Sequence, residues 1–255
     1  MSGEPILDLA PPAADERIAY GRDANQFGDL RLPKGRAAPV AVNIHGGFWR
    51  ARYDLAHAGH LCAALTKAGV ATWNLEYRRV GDPGGGWPGS LQDISAGFRF
   101  LDKLAPKYHL DLTRLVLMGH SAGGQLALCL SSHAANIRGV IALAALCDLR
   151  RAWDLGLSNN AVGEFLGGSP AEVPEHYAEA SPIELSITAQ QRLIHGEEDR
   201  IVPIELSRRY AEEKIKRGEH VILTEIAGAG HFELIDPRTA AWPKVEHAVL
   251  EMLSP

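Results

Sequence analysis

The sequence predicts an α/β fold: a mostly parallel central sheet with helices on both faces and a small cap-like insertion. Three observations carry this. Strand-like and helix-like patterns alternate from residue 38 onward with short links, which is the arrangement of strand–helix–strand crossovers. The run GVIALAAL (residues 139–146) is apolar at nearly every position, as a strand buried on both faces must be. No internal repeat, low-complexity tract or linker divides the 255 residues, so one domain over 1–255 is expected, with residues 148–186 as the insertion.

Taken in order, the first dozen residues end in Pro11-Pro12 and read as an extended lead-in. Residues 17–32 carry the turn signals Tyr20-Gly21-Arg22-Asp23 and Gly28-Asp29 and fit a hairpin. PVAVNIHGG is a β-type run closed by glycines, and Leu55 to Lys67 is amphipathic. GVATWNLEY is the next strand; Leu91, Ile94, Phe98 and Leu101 then share one face of a helix over 91–104. LVLMG leads into a helix over 122–132, and GVIALAAL follows. The segment from Asp148 to Ser186 is irregular, with short helical pieces and several Gly and Pro residues. QRLIHG, a helix over 204–217, HVILTEI and a closing helix over 241–253 complete the chain.

Composition narrows the class. A hydrophobic fraction of 46% and a charged fraction of 22% are those of an ordinary soluble globular protein. A net charge of −5 gives no electrostatic footprint for nucleic acid or an anionic membrane. Cys62, Cys129 and Cys147 show no metal-ligand spacing and read as buried reduced thiols. The N-terminal stretch lacks the basic start and apolar core of a signal peptide, and no segment has the length of a membrane span. A cytoplasmic protein without nucleic-acid or membrane partners is expected. Monomer and homodimer both stay open.

Parallel sheets gather their functional groups at the carboxyl ends of strands, so chemistry is sought there. Gly119-His120-Ser121-Ala122-Gly123 matches G-x-S-x-G between a strand and a helix, the context in which a tight corner exposes a serine oxygen. A serine N-cap with incidental glycines is the plainer reading of the pentapeptide alone. His45-Gly46-Gly47-Phe48-Trp49 follows an earlier strand, where two glycines let backbone N–H groups approach a substrate oxygen. Asp199 lies beyond QRLIHG and His231 beyond HVILTEI, so Ser121, Asp199 and His231 stand in the order nucleophile, acid, base. Glu197 and Glu198 are rivals for the acid; His195, His220 and His247 are rivals for the base. The D-x-x-V-P pattern favours Asp199, and the positions of the other histidines within or before elements favour His231.

These motifs resemble the α/β-hydrolase family, and within it the hormone-sensitive-lipase-like esterases and the kynurenine formamidase (arylformamidase) branch. HGGFW is similar to the HGG-aromatic-Trp form of the formamidases, and GHSAGGQL to the elbow of both branches. The resemblance implies Ser121 as nucleophile, Asp199 as acid and His231 as base, with oxyanion donors from Ala122 and from Gly47 or Phe48. It implies a cofactor-independent serine hydrolase acting on small carboxylic esters. The alternatives are an aryl formamide amide substrate and, further off, a non-catalytic ligand-binding relative. A dehalogenase or epoxide hydrolase of this fold needs aspartate where Ser121 stands.

Secondary features are weighed against packing. Trp87 in GDPGGGWPGS, with Phe48, Trp49 and Tyr53, lines a substrate pocket or fills core beneath a loop. That glycine-rich stretch lacks the Lys-Ser/Thr of a phosphate loop. Asp148 either closes the pocket floor or caps a turn. Trp153, Phe165 and Leu166 contact substrate or pack. His57 and His60 lie three apart on one helix face with no third ligand, so no metal is expected.

Overall fold

The computed structural model describes residues 5–35 and 37–254. Its frame is one eight-stranded sheet in the order β1-β2-β4-β3-β5-β6-β7-β8. The strands are β1 (Glu16–Ala19), β2 (Phe27–Arg31), β3 (Ala38–Ile44), β4 (Ala71–Leu75), β5 (Leu110–His120), β6 (Gly139–Leu143), β7 (Gln190–Gly196) and β8 (Val221–Ile226). β1 and β2 form the expected hairpin, and β2 meets β4 antiparallel; every pairing from β4 to β8 is parallel. In the lead-in, Ile6–Asp8 forms one 3-10 turn where an extended chain was expected; its first four residues lie outside the described residues.

The helices are α1 (Gly59–Lys67), α2 (Gly89–Arg99), α3 (Leu101–Tyr108), α4 (Ala122–Ser131), α5 (Leu149–Asp154), α6 (Leu157–Leu166), α7 (Pro174–Ala180), α8 (Glu205–Lys216) and α9 (Trp242–Met252). None of them is long and apolar enough to cross a membrane. The period-two alternation of the strands sorts the core into two layers. Val40, Val42, Leu115 and Leu117 join the α2, α3, α4 and α8 side, whereas Ala41, Val116 and Met118 pack with α1 and α9.

Two elements differ from the sequence expectation. The helix expected over 91–104 is divided at Phe100, whose carbonyl accepts from both Lys103 N (3.0 Å) and Leu104 N (3.3 Å), a 3-10 step between α2 and α3. GVIALAAL stops being a strand at Leu143, because Ala144 turns into the left-handed region at φ 45°.

Register sets the site. Gly119 pairs with Ile44, His120 with Leu143, Leu143 with Ile194, and Gly196 with Ile226. The carboxyl ends of β3, β5, β6, β7 and β8 therefore finish along one edge, and the loops leaving them meet there. The insertion between β6 and β7 contributes α5, α6 and α7 to the same side.

Candidate active site

Ser121 sits at the corner between β5 and α4 with φ 56° and ψ −121°, a conformation that an L-residue holds only when its surroundings impose it. Here they do. Its N–H donates to Leu143 O (2.8 Å) and its carbonyl accepts from Gln125 N (3.1 Å). The flanking glycines permit the approach of backbone to backbone. A Cβ on Gly119 would stand 2.2 Å from Gly123 O, and one on Gly123 would stand 2.1 Å from Ile44 O. This corner is built for the residue it carries.

His231, in the loop after β8, donates from Nδ1–H to Asp199 Oδ2 at 2.6 Å. Asp199, in the turn after β7, accepts from the N–H groups of Ile201 (2.8 Å) and Val202 (2.9 Å) through its other oxygen. Burial alone would raise the Asp199 pKa. The hydrogen bonds from His195 and His231 oppose it, and the carboxyl is held well below the usual carboxylate range. With Nδ1 committed to Asp199, Nε2 of His231 is the nitrogen left to exchange protons. His195 has a different place from the base considered in the sequence. It lies behind Asp199 with Nε2 3.2 Å from Oδ2 and 2.9 Å from Val202 O, while Ser207 bonds its Nδ1 at 2.8 Å. Glu197 and Glu198 are exposed.

Ser121 and His231 line one cavity of about 430 Å³ at the carboxyl edge. No hydrogen bond joins them among the described residues. Such bonds commonly tighten only with substrate in place. Gly47 and Phe48 line the same cavity. Gly47 has φ 110° and Phe48 φ 50°, so the turn after β3 reverses sharply beside Ser121. Among the described residues, the amides of Gly47, Phe48 and Ala122 donate to no protein acceptor. Ala122 opens α4, where the helix dipole adds to its N–H.

The turn rests on a buried brace. His45 Nε2 lies 3.0 Å from Glu76 Oε1, and His45 Nδ1 lies 2.8 Å from Gly46 O. Glu76 also accepts from Leu55 N and Tyr77 N at 3.0 Å each and sits 3.2 Å from Arg79 Nη1. Tyr77 OH donates to His45 O at 2.9 Å.

Of the expected pocket residues, Phe48 and Tyr53 line the cavity, and Trp49, Trp87 and Asp148 do not. Trp49 is fully buried, donates Nε1–H to Gln125 Oε1 (3.0 Å) and stacks on Phe165 with ring centroids 4.3 Å apart. Trp49 holds a left-handed φ of 56°, and its indole lies in the core outside the cavity lining. Trp87 meets the edge of the same Phe165 ring at 6.1 Å. Asp148 caps α5 by accepting from Arg151 N (3.0 Å) and pairs with Arg209, so it caps a turn and closes no pocket floor. Phe165 and Leu166 are core, and Trp153 packs edge-on to Tyr177.

The sequence reading assigned no site role to Arg52, His57, Arg200 and Phe232, all of which line the cavity. Arg200 and Phe232 directly follow Asp199 and His231, so adjacency to the expected acid and base was the available signal. Leu155 to Ser158 add the wall supplied by the insertion. His57 is driven down to about 3, first by burial and next by the neighbouring His45 ring. His120 is also held neutral by burial and by His231, and its Nε2–H donates to His231 O at 2.9 Å.

Comparison with known proteins agrees with this architecture. The chain is 24% identical over 262 residues to a probable isoprenylcysteine alpha-carbonyl methylesterase of Oryza sativa subsp. japonica, covering 92% of this chain and 63% of that one. It is 26% identical over 251 residues to esterase LipC of Mycobacterium tuberculosis, covering 86% and 60%. The chain thus spans less than two thirds of the length of these curated relatives. Among solved structures, a truncated carbohydrate esterase from gut microbiota superposes with a TM-score of 0.83 at 21% identity, covering 97% of this chain and 100% of that one. Esterase B of Lactobacillus rhamnosis gives 0.80 at 20%, covering 97% and 88%. These neighbours show the α/β-hydrolase fold. The family model BD-FAE matches residues 29–213, nearly three quarters of the sequence, and the chain belongs to the BD-FAE family.

Proposed function

We propose that the protein hydrolyses small carboxylic esters through an acyl-enzyme on Ser121. The observation that carries this reading is the His231–Asp199 pair at 2.6 Å sharing a cavity with a serine at a left-handed strand-to-helix corner. His231 Nε2 takes the Ser121 proton as Oγ bonds the ester carbonyl carbon. The resulting oxyanion lies between the Ala122 N–H and the Gly47-Phe48 turn, and each such donor is typically worth about 10²–10³ in rate. The carbon–oxygen bond to the alcohol then breaks, and the proton on Nε2 passes to the leaving oxygen. Water then bonds the acyl carbon as its proton passes to His231 Nε2, the bond from that carbon to Ser121 Oγ breaks, and Nε2 returns the proton to Oγ as the acid leaves. Asp199 fixes the tautomer throughout. The esterase names of the relatives support the reaction class.

The formamide alternative drew on the aromatic pair of HGGFW, Phe48 and Trp49, and on Trp87; of these Phe48 lines the cavity and the two tryptophans do not. A side-by-side assay of p-nitrophenyl acetate and N-formyl-L-kynurenine tests the choice. Turnover dominated by the ester is expected, and dominance of the formamide would overturn it. Ser121→Ala should lose about 10⁶ in kcat on the ester while the circular dichroism spectrum is unchanged. Near wild-type turnover by that folded variant would end the acyl-enzyme reading.

A further inference from the structure

The active-site cavity is apolar along much of its wall, through Phe48, Leu155, Leu157, Ile201 and Phe232. Two exposed cations, Arg52 and Arg200, also line it. The Arg52 guanidinium lies 4.6 Å over the Tyr53 ring, which orients it along the wall. Among the described residues, no Asp or Glu side chain lines the cavity and neither arginine forms an ion pair. Elsewhere among the described residues many arginines are paired, Arg50 with Glu164, Arg151 with Glu205 and Arg208 with Glu225, and unpaired ones such as Arg22 and Arg99 line no part of this cavity. The acids nearest in sequence, Asp54, Glu197, Glu198 and Asp199, stand outside the lining, and the Asp199 carboxylate is engaged by His231 and His195. His57 and His120, in the wall, are neutral at pH 7 and add no charge. The cavity therefore offers an apolar body and two uncommitted guanidinium groups.

We infer that Arg52 and Arg200 form an anion subsite that selects esters carrying a negatively charged group remote from the scissile bond. The inference rests on the ester-hydrolase reading of Ser121 and names its substrate class. A guanidinium binds carboxylate and phosphate oxygens through paired N–H donors, and an unpaired one beside an apolar wall discriminates against neutral isosteres.

The test compares kcat/KM for matched pairs at low and high salt. On the acyl side the pair is p-nitrophenyl hemiglutarate and p-nitrophenyl pentanoate; on the alcohol side it is meta-acetoxybenzoate and meta-acetoxybenzamide. At low salt one anionic ester should exceed its neutral partner by about tenfold or more, mainly through KM. The side of the ester on which this occurs tells which end of the substrate reaches the arginines. Arg52→Gln and Arg200→Gln should each reduce that ratio, and added salt should do the same. Neutral esters equal or superior in both pairs, or a ratio unmoved in both variants, would overturn the subsite. Absence of turnover on all four esters would instead sink the ester reading. Calorimetry on Ser121→Ala then decides the subsite separately, with glutaric acid monoanilide and pentananilide as probes. Tighter binding of the anion supports it, and equal binding refutes it.

Discussion

Two of the buried histidine–carboxylate contacts at the carboxyl edge of the sheet differ in what they leave free. His231 and Asp199 meet at 2.6 Å after β8 and β7; His45 and Glu76 meet at 3.0 Å after β3 and β4. Residue types alone do not separate them. The difference is what remains free. His231 spends one nitrogen on Asp199 and keeps the other beside the cavity that Ser121 lines. His45 has both nitrogens against oxygen acceptors, is wholly inaccessible, and sits in a pair tied further to Arg79 and to two backbone amides. The first pair can move a proton; the second holds the HGG turn in place. A histidine–carboxylate contact therefore marks a base only where one ring nitrogen is left over and faces a cavity.

Substitution of the two acids should separate the pairs most sharply. Asp199→Asn keeps the shape but lets His231 adopt the wrong tautomer, and kcat should fall by about 10⁴ with a small change in thermal midpoint. Glu76→Gln should do the reverse. It leaves buried His45 without its carboxylate acceptor and Arg79 with Asp82 alone, and stability measured by urea unfolding should drop by about 3–5 kcal/mol. The kcat of the protein that remains folded should fall far less than in Asp199→Asn. Equal loss of activity in both variants would mean that the brace itself takes part in the chemistry.

The smallest expected effect concerns His57, which stands edge-on to His45 and in the cavity wall. Folding holds it near 3, whereas an unfolded histidine titrates near about 6.5. Between those values the unfolded chain binds the proton and the folded one does not, so stability falls as pH falls through that window. His57→Asn should flatten this acid limb, read as a smaller difference in thermal midpoint between pH 7 and pH 5 than in wild type. An unchanged slope would show that His57 titrates normally in the folded protein.

The same contrast explains what was legible in the sequence. Ser121, Asp199 and His231 stand just after strands whose apolar patterns are strong, and parallel topology brings such positions to one edge. The G-x-S-x-G corner was readable because a Cβ at Gly119 or Gly123 would strike backbone, a constraint that writes itself into residue type. The pocket was not readable in this way. Trp49 and Trp87 looked like lining because they follow strands, but side-chain direction depends on local φ and ψ. At Trp49 a left-handed backbone sends the indole onto Phe165. The insertion wall was equally hidden. Ser158, Asn159 and Asn160 all adopt left-handed conformations inside α6, which no periodicity signals. Arg52 and Arg200 were missed because exposed arginines are ordinary, and what distinguishes these two is their place in the wall of the Ser121 cavity without a carboxylate partner.

Labelling with a p-nitrophenyl alkylphosphonate tests most directly whether the free nitrogen of His231 activates Ser121. Attack by the serine oxygen on phosphorus releases p-nitrophenolate and leaves a stable phosphonyl-serine, located by peptide mass mapping. The expected result is one equivalent of nitrophenolate, one adduct on Ser121, and parallel loss of esterase activity; His231→Ala should label far more slowly. Folded protein that stays unlabelled, or that loses activity with the adduct on another residue, would contradict the assignment of Ser121 as the nucleophile.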